Sequence, residues 1–326
     1  MWEMASQRQA YGETLLQLGR DIGEIVVLGA DLCSSTKTSL FAKEFPGRHF
    51  NMGIAEQNMM GVAAGLATEG KIVFASTFSV FAAGRAYDQV RQSIAYTKLN
   101  VKIVATHGGI TVGPDGATHQ IAEDLALMRV LPNMKVLVPC DAVETAKVTR
   151  AIVKEDGPFY VRLGRANVPT ITNPDDPFEI GKAMVMRDGD DVTLIGTGIM
   201  VSQCLKAAEI LKTQGISARV INLPTIKPLD RRTLVKAAQE TGAVVTAEEH
   251  NIAVGMGAAL SMLLVENKHV PMEHVGIPDM FGESGEPPEL MEKYGLTVGD
   301  IVDRAKKVIK RKDRKGFGKF KRKGRK

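Results

Sequence analysis

Cysteines and long apolar runs are both scarce in this chain. The three cysteines, Cys33, Cys140 and Cys204, lie far apart and form no C-x-x-C pair, so the sequence favours neither a disulfide framework nor a zinc site. No apolar run reaches the roughly 18 residues of a membrane span. The first residues, MWEMASQRQAYGE, contain no signal-peptide core. We therefore expect a cytoplasmic protein without membrane association.

Acidic residues are almost missing from the C-terminal end. Between Arg304 and Lys326 there are fourteen Lys or Arg and one acid, Asp313. This stretch carries a formal charge of +13 and leaves −8 for residues 1–303, because the whole chain carries +5. Residues 311–326 have Gly and Phe but no helical apolar period, which predicts a solvated, disordered basic tail. The basic tail has two interpretations: it attracts a polyanion weakly, or it has no binding role.

The remaining sequence is that of a globular protein with room for two domains. Hydrophobic residues make up 44% and charged residues 24% of the 326 residues, which is typical of soluble domains. Strand-like and helix-like segments alternate before and after a stretch with three prolines at 166–182. Such alternation predicts parallel sheets covered on both faces by helices. We therefore predict two three-layer α/β domains, 1–165 and 183–310, joined by a linker at 166–182.

Apolar patterns predict the individual elements. The predicted strands are 25–28, 49–52, 71–75, 101–106, 135–138, 159–163, 192–195, 218–223, 243–247 and 273–276. The predicted helices are 2–19, one beginning at Leu40 and Phe41, one after Gly53, then 81–96, 121–130, 142–155, 200–213, one from 230, 255–265 and one from 298. Ser34, Ser35 and Thr36 are predicted to cap the second of these helices.

Distinctive side chains follow four of the predicted strands. Asp31, Phe78, His107 and Arg165 each come just after a strand. In open parallel sheets, ligands bind beyond the carboxyl ends of the strands, so this pattern predicts a site in the first domain. The second domain offers Glu248–His250, which could form a site or a subunit contact. Its G-T-G and G-M-G segments do not complete a dinucleotide fingerprint.

One stretch, NMGIAEQNMMGVAAG at 51–65, places a carboxylate in an apolar setting. Glu56 is at the predicted start of a helix, with the apolar residues Ile54 before it and Met60 after it. No basic residue follows before Lys71. A charge among apolar residues is costly unless it is paired or takes part in chemistry. The simpler alternative is an acid in the first turn of a helix, where the helix dipole favours it.

Four segments together resemble a known family. GIAEQN, STFSVF, THGGITVGPDGATHQ and RLGRANVP occur in this order and resemble the C-terminal half of transketolase, its pyrimidine-binding domain followed by its C-terminal domain. The resemblance covers about residues 5–309. It implies thiamine diphosphate as cofactor and the transfer of a two-carbon ketol unit between ketose and aldose phosphates.

The resemblance also implies roles for individual residues. Glu56 corresponds to the carboxylate that engages the aminopyrimidine ring, Asp31 to an acid near the cofactor, and Phe78 and Phe81 to the aromatic wall. The implied sugar-binding and proton-handling residues are Arg8, Ser35, His107, Asp115, His119 and Arg165. Of these, Arg8, Ser35, His107 and Arg165 would contact a distal phosphate, and Asp115 and His119 the donor hydroxyls, with His107 and His119 joining Glu56 in catalysis.

Two departures from the family pattern bear on function. The third aromatic of the family falls near Gly84 and Arg85, where this chain has none. No GDG with a downstream Asn appears, so the chain lacks the half that binds the diphosphate and magnesium, and we assign it no metal ligand. We therefore expect a split transketolase in which a second, N-terminal chain binds diphosphate and magnesium, with two copies of each chain.

Three other interpretations remain. R-A-Y-D-Q at 85–89 resembles 1-deoxy-D-xylulose-5-phosphate synthase. The beta subunit of a 2-oxo acid dehydrogenase would share the fold and the glutamate, although it needs no distal phosphate contact. A catalytically silent, nucleic-acid-binding protein that uses its basic tail is the third.

Overall fold

The computed structural model describes residues 2–314. The first domain contains strands β1 (Met4–Ala5), β2 (Ile25–Gly29), β3 (His49–Asn51), β4 (Ile72–Ser76), β5 (Val101–Ala105), β6 (Lys135–Leu137), β7 (Phe159–Arg162) and β8 (Val168–Pro169). Its helices are α1 (Gln7–Asp21), α2 (Cys33–Thr36), α3 (Ser39–Glu44), α4 (Glu56–Thr68), α5 (Tyr87–Gln89), α6 (Asp124–Val130) and α7 (Ala142–Val153). Short π-helical turns at Val80–Arg85 and Val90–Ala95 flank α5, and 3-10 turns lie at Pro46–Arg48 and Gly113–Asp115.

The second domain follows the same alternation. Its strands are β9 (Met184–Arg187), β10 (Val192–Gly196), β11 (Ala218–Asn222), β12 (Thr225–Lys227), β13 (Val244–Asn251) and β14 (Met272–Ile277). Its helices are α8 (Met200–Thr213), α9 (Arg231–Thr241), α10 (Met256–Asn267), α11 (Pro287–Lys293) and α12 (Val298–Arg314).

Both sheets are parallel except at one edge. The larger sheet has the order β12-β6-β7-β5-β4-β2-β3, and the smaller one has the order β14-β13-β10-β11-β9. Within these two sheets, the edge strands β12 and β9 run antiparallel to their neighbours. The α/β layering is therefore as predicted, but the two antiparallel edges were not, because each consists of three or four residues without a distinct period.

The core is continuous across the two domains. Side chains on one face of the larger sheet, such as Val73 and Ile103, belong to the same buried cluster as Ile221 and Leu260 of the second domain. The opposite face of that sheet packs against α1 and α7 through Tyr11 and other apolar residues. A cluster under α8 and α12 fills the far side of the smaller sheet. Since one cluster spans both domains, the domains are packed together through apolar contacts.

The helix predicted at 2–19 begins later than expected, and the segment before it pairs with part of the predicted linker. The helix begins at Gln7, where the Ser6 side chain accepts a hydrogen bond from the backbone N–H of Gln9 at 3.3 Å. The preceding β1 pairs antiparallel with β8, which lies inside the predicted linker. The proline-rich stretch is thus anchored to the N-terminal segment. Pro169 has no N–H to donate, but its neighbours do, and the Thr170 N–H donates to the Glu3 carbonyl at 2.8 Å.

The predicted capping by Ser34, Ser35 and Thr36 is wrong. These residues form α2 themselves, and the Thr36 hydroxyl donates back to the Leu32 carbonyl at 3.1 Å. Thr38 precedes α3 without a side-chain capping bond. Serine and threonine compete for local backbone partners in several ways, so their sequence positions do not determine which helix they serve.

The last helix extends beyond the predicted end of the second domain. α12 continues to Arg314, four residues into the range predicted as a disordered tail, and residues 315–326 lie outside the described residues. Ile301, Ala305 and Val308 line its buried face. Within residues 2–314, every helix is too short or too polar to cross a membrane.

Candidate active site

The order of the larger sheet brings four predicted site residues to one edge. β7, β5, β4 and β2 are consecutive neighbours, and Arg165, His107, Phe78 and Asp31 follow them in that order. An isolated bridge between Phe78 and Thr106 extends the pairing of β4 and β5 towards this edge. Glu56 lies alongside, because β3 is the neighbour of β2 and α4 begins five residues after β3 ends.

Asp31 is held in a left-handed backbone conformation. Its φ is +59°, which is uncommon for a residue other than glycine and often marks a functional position. Asn51 supports it, since its side-chain oxygen accepts from the Asp31 N–H at 2.9 Å and its amide donates to the Asp31 carboxylate at 3.2 Å. The same oxygen accepts from the Gly53 N–H at 3.2 Å. Asn51 therefore ties the end of β2 to the turn before α4.

Glu56 is buried and paired with an arginine. Its side chain is 1% exposed, and Nη1 of Arg85 lies 3.1 Å from Oε1 and 2.9 Å from Oε2. Met60, one turn further along α4, is fully buried. Ile54 is 77% exposed, so the surroundings of Glu56 are less apolar than expected. The cost of burying this carboxylate is offset by a cation 29 residues away in sequence.

A π-helical turn positions Arg85. In Val80–Arg85, the Ala86 N–H donates to the Phe81 carbonyl at 3.2 Å, five residues back. Arg85 follows Phe81 by four residues, and its guanidinium carbon lies 4.4 Å from the centre of the Phe81 ring. The Gln57 side chain donates to the Arg85 carbonyl at 3.2 Å. The turn is thus connected to the start of α4 through both its side chain and its backbone.

Two phenylalanines and two histidines form an aromatic cluster. The rings of Phe78 and Phe81 are parallel at 5.9 Å, and His107 stacks on Phe78 at 3.6 Å. The edge of His119 approaches Phe81 at 5.5 Å. Phe78 is buried beneath His107, whereas Phe81 is partly exposed and lines the adjoining cavity. Phe81 is therefore the phenylalanine available to a ligand.

His107 is neutral at physiological pH. Burial, followed by the charges of Arg8 and Arg165, lowers its pKa to about 3. Its φ is +61°, and its Nδ1 is 2.8 Å from the Thr106 hydroxyl. It can therefore exchange hydrogen bonds with a ligand but does not contribute a positive charge to phosphate binding.

Arg8 and Arg165 form a cationic corner next to His107. Arg8 donates to the carbonyls of Ser35 at 2.9 Å and Arg165 at 3.0 Å, and burial together with the charge of Arg165 lowers the pKa of Arg8. Arg165 donates to the Val112 carbonyl at 2.6 Å. Ser35 thus contributes its backbone carbonyl to Arg8. Across residues 2–314, neither arginine has a carboxylate within ion-pair distance.

Asp115 and His119, the residues implied for the donor hydroxyls, lie on the loop that follows His107. His119 lines the cavity, and its Nδ1 is 2.9 Å from the Thr118 hydroxyl. Asp115 lies exposed on the Gly113–Asp115 turn, and its carboxylate makes no hydrogen bond to His119 among the described contacts. The loop turns at Gly113 and Gly116, both of which have a positive φ.

Two glycines after His107 let this loop pass between buried charged groups. A Cβ on Gly108 would lie 2.2 Å from Nε of Arg162, and one on Gly109 would lie 2.2 Å from the Glu249 carboxylate. Oε1 of Glu249 accepts from the Thr111 N–H at 2.7 Å. The loop that carries His107 and His119 is therefore fixed by a residue of the second domain.

A cavity of about 400 Å³ lies beside Glu56 and Phe81, and the side chains of His107, Arg8 and Arg165 are not part of its lining. Its lining includes Asp31, Leu32, Ile54, Glu56, Phe81, Arg85, Thr118 and His119. A buried carboxylate beside an accessible aromatic face fits a flat heteroaromatic ring with a hydrogen-bonding nitrogen. Within the described part of the chain, no group of three or more His, Cys, Asp or Glu side chains is placed to hold a metal ion.

Some residues of this site were not identified from the sequence. The sequence marks Arg85 as the position of a missing aromatic residue and as the first residue of R-A-Y-D-Q, without a role in the site, and Asn51 is not singled out. Glu248–His250 lie within β13 rather than after a strand. The Glu248 carboxylate accepts from the N–H groups of Met256 and Gly257 at the start of α10, which is a structural role.

Comparison with protein families agrees with this architecture. Residues 3–170 match the model described as "Transketolase, pyrimidine binding domain", and residues 181–301 match "Transketolase, C-terminal domain". The boundary between the two matches falls inside the proline-rich stretch. The two models together account for most of the chain.

Individual relatives match along nearly the whole length. A "Putative transketolase C-terminal section" of Methanocaldococcus jannaschii is 50% identical, covering 93% of this chain and 96% of that protein. A "6-deoxy-6-sulfo-D-fructose transketolase subunit" of Clostridium sp. is 44% identical, covering 94% and 95%. A solved structure entitled "Split gene transketolase, inactive beta4 tetramer" is 54% identical with a TM-score of 0.88, covering 94% and 98%. The chain therefore belongs to the transketolase family and corresponds to the C-terminal section, with pyrimidine-binding and C-terminal domains, of a split transketolase.

Proposed function

We propose that this chain is one subunit of a thiamine-diphosphate-dependent transketolase that is active only with a separate diphosphate-binding chain. The proposal depends chiefly on Glu56, a buried carboxylate beside the accessible ring of Phe81 in a cavity of about 400 Å³. The reaction would transfer a two-carbon ketol unit from a ketose phosphate to an aldose phosphate.

The described residues fit the pyrimidine half of the cofactor. Glu56 would accept a hydrogen bond from the ring nitrogen and hold a proton there, and Phe81 would stack against the ring. Asp31, fixed by Asn51, would place a negative charge near the thiazolium. Thiamine diphosphate, when bound, supplies the nucleophilic carbon and the electron sink for cleavage of the carbon–carbon bond.

The sugar phosphate would bind at the cationic corner. Arg8 and Arg165 lie close enough for the charge of one to lower the pKa of the other, and a phosphate would relieve that repulsion through charge-assisted hydrogen bonds. Neutral His107 would add an uncharged hydrogen bond. His119, whose ring edge lies 5.5 Å from the Phe81 ring, would exchange protons with the donor hydroxyls.

A second chain would complete the site. The described residues contain no metal-binding cluster, and oxygen ligands for magnesium and an anion cradle for the diphosphate are required. We propose that an N-terminal transketolase subunit supplies both. Two copies of each chain would give a closed symmetric assembly with cofactors at subunit interfaces.

Replacing Glu56 tests the proposal. In the complex reconstituted with its N-terminal partner, Glu56→Gln should lower turnover by a factor of about a hundred or more, because general acid–base contributions are commonly of that size. Steady-state ketol transfer with sugar phosphates is the measurement. Glu69→Gln, an exposed residue at the far end of the same helix, is the matched control. Wild-type turnover in Glu56→Gln would contradict the proposal.

A 1-deoxy-D-xylulose-5-phosphate synthase-like activity is the second candidate. The observation that favours it is Arg85, the first residue of R-A-Y-D-Q, whose side chain lines the cavity. An assay with pyruvate and glyceraldehyde phosphate separates the two activities, since a transketolase forms no deoxyxylulose phosphate from them. Product formation only from ketose donors would support the transketolase.

A further inference from the structure

The Arg85 guanidinium occupies both features that a pyrimidine ring would use. It faces the Phe81 ring with its carbon 4.4 Å from the ring centre. From that position its Nη1 donates to both oxygens of Glu56, at 3.1 and 2.9 Å. A guanidinium is planar, conjugated and an N–H donor, and these are the properties with which an aminopyrimidine would engage the same ring and the same carboxylate.

Exposure shows which group has to move. Glu56 is 1% exposed, whereas the Arg85 side chain is 47% exposed, and both line the same cavity. A ligand that stacked on Phe81 where the guanidinium lies and bonded the same carboxylate would have to displace Arg85, the more exposed of the two charged groups.

We propose that Arg85 is a placeholder for the aminopyrimidine, a positioning residue that keeps Glu56 paired and is displaced when the cofactor binds. This inference rests on the proposed function, since it assumes that the ring engages Glu56. Before displacement, Arg85 offsets the cost of the buried charge. On displacement, Glu56 would accept its hydrogen bond from the ring nitrogen, protonated from solvent, and the guanidinium would move towards solvent, where water solvates it.

The first test uses the isolated chain without cofactor. Urea unfolding is measured for wild type, Arg85→Met, Glu56→Gln and the double variant. Arg85→Met should lower the folding equilibrium constant by about tenfold or more, because a charge-assisted hydrogen bond to a buried group is lost. The same change in the Glu56→Gln background should have a several-fold smaller effect. Additive effects of the two substitutions would overturn the placeholder.

The second test measures cofactor binding to the reconstituted complex by calorimetry, with thiamine diphosphate and magnesium as the probe. Since the cofactor no longer has to break the ion pair, Arg85→Met should bind it about tenfold more tightly than wild type. Arg85→Lys keeps the charge but loses the planar fork, so its dissociation constant should lie between the two. Arg91→Met, an exposed arginine in the following turn, should bind as wild type does.

Equal or weaker cofactor binding by Arg85→Met would overturn the placeholder, because Arg85 would then be a direct cofactor contact or a bystander. The proposed function fails separately, through wild-type turnover of Glu56→Gln in the complex. Additive unfolding effects in the isolated chain count against the placeholder alone. Wild-type turnover of Glu56→Gln in the complex counts against the proposed function, so the two failures are distinguishable.

Discussion

Buried glutamates in this protein are stabilised in three different ways. Glu56 is paired with an arginine, and Glu248 accepts two N–H groups at the start of α10. Glu144 instead has neutral partners, the Cys140 N–H at 2.7 Å and the Asn222 side-chain amide at 2.8 Å. Without a cation to compensate for desolvation, burial raises the pKa of Glu144 to about 7. Burial without a cationic partner thus distinguishes Glu144 from Glu56.

Glu144 should make stability depend on pH. Its pKa is higher in the folded state, about 7, than the ordinary value of 4.5, so its contribution is present below pH 4.5 and is lost as pH rises towards 7. Glu144→Gln should remove this loss and stabilise the protein at pH 8 by up to about 3 kcal/mol relative to wild type. The Asn222 oxygen is buried without a partner, so rotation of its amide can accept the new N–H.

Urea unfolding at pH 5 and pH 8 checks this prediction. The difference between wild type and variant isolates Glu144 from the other titrating groups. Glu13→Gln, an exposed acid on α1, is the control and should show a difference that hardly changes with pH. A stability difference for Glu144→Gln that is the same at both pH values would mean that Glu144 does not titrate in this range.

Individual residues were predictable where a local motif carried them. Glu56, Phe81 and His119 were found through such motifs and line one cavity. Arg85 was not assigned, because a sequence does not reveal which cation will meet a carboxylate 29 residues away. Asp115 was paired with His119 through the family resemblance, and it lies exposed on the Gly113–Asp115 turn outside the lining of that cavity.

At the scale of elements, apolar periodicity predicted where a helix lies more accurately than what kind of helix it is. α8 was predicted over the range 200–213 that it occupies, because its apolar positions recur at helical spacing. The predicted helix at 81–96 is instead two π-helical turns around α5. An extra residue in a turn leaves no signature in an apolar pattern, so these turns were not predicted.

The C-terminal helix should tolerate truncation only up to a defined residue. Arg311 donates to Glu273 of β14 and to the Met272 carbonyl, and Lys312 donates to the Thr241 carbonyl at 2.7 Å. Ending the chain after Lys310 removes these contacts. The melting temperature should then fall by several degrees, because losing about 1 kcal/mol of stability lowers it by a few degrees in a chain of this size. Ending it after Arg314 should leave the melting temperature unchanged.

Thermal unfolding of the two truncated chains compares them directly. Equal melting temperatures would show that Arg311 and Lys312 do not hold α12 in place. The cut after Arg314 is also the cleaner variant for the nucleic-acid interpretation, because it keeps every described residue of α12. Salt-sensitive RNA binding by the full chain that is lost in this variant would favour that interpretation.

At the scale of the whole molecule, the two domains share structure that neither sequence half predicts. β12 comes from the second domain but completes the sheet of the first, pairing with β6 at Thr225 and Leu137. Arg162 of β7 donates to the Glu249 carbonyl at 2.8 Å and lies 3.2 Å from Asp124. Contacts between distant segments depend on how finished domains pack, so local sequence patterns predicted each domain but not this junction.

The junction should control the loop that carries His107 and His119. Glu249→Ala removes the acceptor of the buried Thr111 N–H, which should cost about 1–3 kcal/mol. Amide hydrogen exchange in residues 107–120 should accelerate by about tenfold or more, because the loop opens locally with a smaller free energy. Turnover of the reconstituted complex should fall, although Glu249 lies outside the cavity.

Glu249→Gln is the matched variant, because its side-chain oxygen can still accept from Thr111. It should keep exchange in the loop close to wild type, so the hydrogen bond rather than the charge would be responsible. Glu266→Ala, an exposed acid on α10, should change neither exchange nor turnover. If Glu249→Ala left exchange in residues 107–120 unchanged while turnover fell, the second domain would affect catalysis by another route than anchoring this loop.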